Sequence, residues 1–299
     1  MSKRERSSII CLHEDTVLFR EAVNFTASQT LFLPRLIEKD YYCTVLLDHL
    51  AAADSSLVFK GGTCLAKVHA GFYRLSEDLD FVIPTPLSAS RSERRDLAAG
   101  FKKAVIKLPT MVGAFRVLEP PVGANNSKQY VAVISYRSLI SKQEEIIKIE
   151  VGLREPLLTQ ILTTSEARTI LLDPISGEPM VRAFTVPCIS RSEAMAEKLR
   201  AALSRREVAI RDFFDIVYAV RNFGFNPLEA TIIEMVRQKL AVPGNEPVDV
   251  SPGRLASVRQ QLDPQLKPVL RVDDFVAFDL DQAFRIVSDV AAVLGTTQP

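Results

Sequence analysis

The chain reads as an α/β (α+β) protein, a mixed sheet of about five strands with flanking helices followed by a helical C-terminal part. Three observations predict this. Helical periodicity runs from Thr16 to Ala53, short apolar runs bounded by turn residues recur from Leu57 to Val151, and beyond Ser190 the apolar spacing turns helical. At 299 residues the chain exceeds one average domain. The expected division is an α/β domain with N-terminal helices over 1–189 and a helical domain over 190–299.

The N-terminal helical stretch breaks near Leu33-Pro34, and EKDYYCTVLLDHLAAA forms its second helix, with apolar residues at spacings of three and four. Leu57–Phe59 is a buried strand, Gly61-Gly62-Thr63 a turn, Cys64–Phe72 a short helix, and Leu79–Ile83 a strand stopped by Pro84. A basic helix is expected over Ser90–Leu108, with strands over Phe115–Leu118, Tyr130–Tyr136 and Ile146–Val151. Val181–Ile189 is either a further strand or a linker. Ser190 with Glu193 makes a capping box for a helical stretch running to Phe223, where Gly224 closes it. Asn226-Pro227 starts another helix, Val242–Arg254 is a loop rich in proline and glycine, and the last helix spans about Asp273–Leu294.

Composition narrows the function classes. With 47% hydrophobic and 24% charged residues, the chain can bury a full core. Its 37 basic and 36 acidic residues leave a net charge of +1, so nucleic acid or anionic lipid can be met only by a local patch. Cys11, Cys43, Cys64 and Cys188 include no C-x-x-C pair and the three histidines are dispersed, so this spacing indicates neither a zinc site nor a disulfide framework. Ser7–Leu12 is too short for a signal peptide and no run reaches membrane-spanning length. A cytoplasmic, monomeric protein with no membrane association is expected.

The most informative segment is Val58–Pro84, VFKGGTCLAKVHAGFYRLSEDLDFVIP. A Gly-Gly turn lets backbone N–H groups approach a phosphate, and Asp78 and Asp80, two apart on a strand, point to one face. Together they point to a divalent metal with a nucleoside triphosphate, and to metal-assisted nucleotidyl transfer. Such chemistry needs shared carboxylates holding metals about 4 Å apart. The third acid is expected at Glu150 in IIKIEVGL, where Ile147, Ile149 and Val151 face the core and Lys148 and Glu150 the other side. As an acid inside an apolar strand, Glu150 requires a partner or a metal to meet its burial cost.

Neighbouring patterns are excluded or stay open. Val82 stands where an EF-hand needs its fifth-position ligand and Pro84 rather than glycine follows, while G-x-x-x-x-G-K-[ST] is absent from the turn. The same D-x-D at Asp279-Leu280-Asp281 lies in a helical pattern with Val276, Leu280, Ala283, Val287, Val290 and Leu294 on one face, so those aspartates project about 160° apart and serve structure. Ser76 either meets a phosphate oxygen or caps a local turn. Among Lys60, Lys67 and Arg74, it is Arg74 that is expected to hold the acidic loop.

The combination of VFKGGTCLAK, RLSEDLDF and a preceding EKDYY resembles the AbiEii-type nucleotidyltransferase toxins of bacterial type IV toxin–antitoxin and abortive-infection systems, within the DNA-polymerase-β-like superfamily. The resemblance implies a nucleotidyltransferase fold, with Gly61, Gly62, Thr63 and Ser76 at the nucleotide phosphates, Asp78 and Asp80 as metal-binding catalytic acids, and Glu150 as the third metal acid. EKLRAALSRREVAIRDFFDIVY is similar to the family's later helical motif. It implies that Lys198 contacts triphosphate, that Arg211 binds nucleotide, and that Asp212 or Asp215 orients Lys198 or the nucleotide. Cys64 departs from the serine or alanine frequent there, and the interval from the glycines to Asp78 is longer than in many superfamily members; neither removes a required ligand.

The implied activity is transfer of NMP from NTP, with Mg²⁺, to an acceptor, the 3′ end of tRNA, which blocks translation and growth until a cognate antitoxin counteracts it. Basic residues over Arg191–Arg211 and Arg91–Lys107 would supply the acceptor patch. Two alternatives stay open, a small-molecule adenylyltransferase of the antibiotic-modifying type and a catalytically silent nucleotide- or protein-binding member.

Overall fold

The computed structural model describes residues 10–163 and 165–296. They divide into two units: residues up to Pro156 with Ile161–Cys188, and Leu157–Gln160 with the chain from Ile189 onward.

The first unit opens with α1 (Thr16–Thr30) and α2 (Pro34–Ala53), with Pro34 in the first turn of α2 where its missing N–H costs nothing. Then come β1 (Val58–Lys60), a one-turn α3 (Gly61–Cys64) continued by a π turn over Leu65–His69, and β2 (Leu79–Val82). After α4 (Arg91–Leu97) and α5 (Ala99–Met111), the chain forms β3 (Phe115–Ala124), β4 (Gln129–Arg137) and β5 (Glu144–Gly152). The five-stranded sheet has the order β1-β2-β5-β4-β3; β2 and β5 are parallel and the other pairs antiparallel. Its core face carries Leu79 and Phe81 of β2, Ile147, Ile149 and Val151 of β5 and Ala132 and Ile134 of β4, in one cluster with residues of α2 and α5.

Several elements differ from their expected extents. The basic helix is two helices meeting at Ala98: Ser90 and Glu93 form a capping box that fixes the start of α4, and Gly100 weakens continuation past Ala98. β3 runs on through Pro120 and Pro121, which the outer strand accommodates with two register shifts. Val181–Ile189 contains a two-residue β7 (Phe184–Thr185) paired with β6 (Glu166–Ala167), and Cys188 then forms a bridge with Phe59 on the outer edge of β1.

The second unit consists of α6 (Arg191–Ser204), α7 (Ile210–Phe223), α8 (Ala230–Ala241), α9 (Pro252–Arg259), α10 (Val272–Val276) and α11 (Leu280–Thr296). The stretch expected as one helix from Ser190 to Phe223 breaks over 205–209, where Arg254 donates to the carbonyls of Ala202 and Arg205. Only half of the expected capping box forms. Ser190 Oγ accepts from Glu193 N, but the buried Glu193 carboxylate accepts instead from Leu158 N, Thr159 N and, at 2.7 Å, Lys239 Nζ. The last helix is also split. Asp279 Oδ1 accepts from Gln282 N ahead of α11, Asp281 pairs with Arg259 at 2.6 Å, and Val276, expected on the buried face, is exposed. No helix among the described residues is long and apolar enough to cross a membrane.

A buried charge pair ties α2 to the π turn of the first unit. Lys67 Nζ lies 2.7 Å from Asp40 Oδ1 and 2.7 Å from Thr44 Oγ1, with both ionic side chains essentially inaccessible. Removing one partner strands a buried charge, which costs about 3–5 kcal/mol. Lys67→Met is therefore expected to lower unfolding free energy by about that amount in urea titration; a loss below about 1 kcal/mol would contradict the pair's role.

Candidate active site

In the first unit, strand register places the acids. Lys60 on β1 stands opposite Asp80, and Asp80 on β2 stands opposite Glu150 on β5. Directly paired residues present their side chains to the same face, so Lys60, Asp80 and Glu150 form a row across three strands. Asp78 immediately precedes β2, and its Oδ1 accepts from the Lys148 backbone N–H at 3.3 Å. All three acids are partly exposed. The sequence required a partner or a metal for Glu150; its side chain is 34% accessible and paired with Lys148 Nζ at 3.1 Å, so partial solvation and this ammonium meet its cost.

The glycine turn lies against these acids. Gly61 has φ +76°, and a Cβ there would fall 2.8 Å from Asp80 Cβ. A Cβ on Gly62 would fall 3.3 Å from both Arg74 Cζ and Ser76 Oγ. Gly61 is thus required by close approach and by its dihedral, and Gly62 lies tight against the Arg74 guanidinium. Thr63 Oγ1 donates a hydrogen bond to Asp78 O. Gly61, Gly62, Thr63, Ser76, Asp78 and Asp80 are therefore brought together. Arg74, buried beside Gly62, donates to Leu75 O at 3.2 Å.

Sequence reasoning missed how the EKDYY segment supports this arrangement. Lys39 Nζ lies 3.3 Å and Arg35 Nη1 3.2 Å from Glu77 Oε1, and the Glu77 carbonyl accepts from Cys43 Sγ. Asp40 holds Lys67, and Glu38, fully buried, accepts from Ser138 Oγ and Leu139 N. Three consecutive charges inside an apolar helix were the available signal.

A second convergence had no signal in spacing. Cysteine and histidine positions argued against a metal cluster, yet Cys64, His69 and Cys188 come together, with one ligand atom from each within 4.8 Å of the others. Residues 64 and 188 meet because Cys64 closes α3 beside β1 while Cys188 lies along the same strand's edge.

In the second unit, Lys198 on α6 reaches two aspartates of α7. Its Nζ lies 2.7 Å from Asp212 Oδ1 and 2.9 Å from Asp215 Oδ2. Both aspartates are buried, more deeply than sequence suggested, and Asp212 Oδ2 lacks a hydrogen-bond partner, with Arg205 Nη1 3.9 Å away. Arg211 is one position, about 100°, from Asp212 around α7, and its Nε donates to Gln265 O.

A profile of the family described as nucleotidyl transferase AbiEii toxin, type IV toxin–antitoxin system, matches residues 45–287. The chain belongs to that family. The match spans both units of this AbiEii nucleotidyltransferase, from α2 to α11. Among solved structures, JHP933 from Helicobacter pylori is similar at 16% identity over 87% of this chain and 93% of its own, with a TM-score of 0.49. A second H. pylori protein, provisionally described as a nucleotidyltransferase, has 16% identity over 88% of this chain and 99% of its own, with a TM-score of 0.44. The STING-associated CdnE c-di-GMP synthase of Capnocytophaga granulosa has 10% identity over 89% of this chain and 84% of its own, with a TM-score of 0.26. No curated protein matches the chain.

For this AbiEii nucleotidyltransferase, Gly61→Ala tests the turn. A non-glycine residue at positive φ costs roughly 1–2 kcal/mol, and the added methyl displaces the Asp80 side chain. Nucleotidyl transfer is expected to fall at least about tenfold while circular dichroism and a cooperative urea transition show a folded chain. Unchanged transfer would show that the turn's fit to Asp80 is dispensable.

Proposed function

We propose that this AbiEii nucleotidyltransferase acts, as a monomer, with Mg²⁺ and NTP, transferring NMP to the 3′ end of tRNA with release of pyrophosphate. The observation that carries this reading is the pairing of Asp80 with Glu150 on neighbouring strands beneath the Gly61 turn. Asp78, Asp80 and Glu150 offer only carboxylate oxygens, the donor set that suits a hard divalent cation. Bound there, Mg²⁺ would supply neutralisation of triphosphate charge and stabilisation of the attacking and leaving oxygens.

The remaining roles fall to the chain's own groups. Gly61 and Gly62 leave room for a phosphate close to the backbone, and Thr63 and Ser76 bring hydroxyl groups to the same turn. Lys198 is assigned to the triphosphate, with Asp212 and Asp215 fixing its ammonium, and Arg211 to the nucleotide. Arg91, Arg95 and Lys102 line one cavity with Tyr130, whose ring centre lies 4.4 Å from Lys102 Nζ. This local basic surface supports a phosphate-bearing acceptor despite a net charge of +1. Loss of a usable tRNA 3′ end blocks translation, and a cognate antitoxin counteracts the toxin, in keeping with the type IV family.

The test is incubation with labelled NTPs, Mg²⁺ and total tRNA. Label is expected on the tRNA 3′ end, and Asp80→Ala is expected to slow transfer about a thousandfold, the equivalent of about 4 kcal/mol of transition-state stabilisation. Transfer that survives Asp80→Ala would remove the metal role. Transfer to soluble hydroxyl compounds and none to RNA would replace the acceptor with a small molecule.

A further inference from the structure

Cys64, His69 and Cys188 are positioned by three separate pieces of backbone. Cys64 ends α3, His69 ends the π turn, and Cys188 exchanges backbone hydrogen bonds with Leu162 at 2.9 and 3.0 Å while Phe59 N donates to Pro187 O at 2.7 Å. Both cysteines are fully buried and His69 is partly exposed. Their two sulfurs and one ring nitrogen lie within 4.8 Å of one another. A tetrahedral zinc ion, with Zn–S near 2.3 Å and Zn–N near 2.0 Å, needs such atoms roughly 3.5–3.8 Å apart. Small side-chain rotations close that difference.

The chemistry of the group is that of a soft-metal site. Two thiol sulfurs and an imidazole nitrogen are soft to borderline donors. A metal ion of this kind displaces the thiol protons when it binds. Cys64 and Cys188 are not joined by a disulfide.

We infer that Cys64, His69 and Cys188 bind one soft divalent cation of the Zn²⁺ class, at a site separate from the carboxylates and selective against Mg²⁺. A solvent molecule would complete four-coordination. The ion ties the last residue of the glycine turn to the chain segment on the outer edge of β1. Through α3 it thereby stiffens the turn that lies on Asp80, a positioning role outside the chemical step.

The test uses the full chain, stripped of metal under a non-thiol reductant and titrated with Co²⁺ alone. One equivalent is expected, with near-ultraviolet sulfur-to-cobalt absorption and the visible bands of tetrahedral cobalt, both lost on adding Zn²⁺ and unaffected by excess Mg²⁺. Cys188→Ser is expected to weaken binding at least about tenfold and to reduce the sulfur absorption by about half; Cys11→Ser, at an exposed position, leaves both unchanged. The wild-type spectrum needs no variant to fold. Absence of the sulfur band, its persistence unchanged in Cys188→Ser, or its loss in Asp80→Asn would each overturn the assignment. None of these readouts depends on nucleotidyl transfer, so failure here leaves the catalytic reading standing.

Discussion

The candidate site depends on a clamp of ion pairs, one of them fully buried, between α2 and the segment that carries the acids. Lys39 and Arg35 hold Glu77, the residue before Asp78, and Asp40 holds Lys67 in the turn that follows Gly61 and Gly62. Such pairs add little net stability relative to apolar packing, because desolvation offsets their attraction, but losing one partner is costly. Their effect here is to fix position. β2 is only four residues long, and a slip of one residue would turn Asp80 into the core and Phe81 toward solvent.

Electrostatics around the acids is balanced without being sealed. Asp80 has Lys60 opposite it on one side and Glu150 on the other, while Glu150 is paired with Lys148. Partial exposure keeps the desolvation cost of three neighbouring carboxylates low, and a half-exposed lysine can yield its place to a stronger cation. The sulfurs of Cys64 and Cys188 are, by contrast, buried soft donors. Carboxylate oxygens and soft sulfur donors are thus kept at separate places within one unit.

Much of this was legible in the sequence, for identifiable reasons. Period two in DLDF and IIKIEV separates core from site residues on any strand, and the observed burial of Ile147, Ile149 and Val151 follows that alternation. Pro34 marked the start of α2 and Gly224 the end of α7. Local pattern did not reveal which distant residues share a partner. Glu193 fits a capping box by spacing, but tertiary contacts with Leu158, Thr159 and Lys239 claim its carboxylate. The break after Ser204 likewise follows from a distant residue, Arg254, which bonds the carbonyls of Ala202 and Arg205. Convergence of Cys64 with Cys188 was invisible, since a fold alone can bring together residues so far apart in sequence.

The most direct measurement is a crystal structure with Mn²⁺ and a non-hydrolysable NTP, the metal located by its anomalous signal. Manganese ligated by Asp78 and Asp80, with the triphosphate against Gly61 and Gly62, is the expected result. Manganese and phosphates bound away from those four residues would contradict the proposed chemistry.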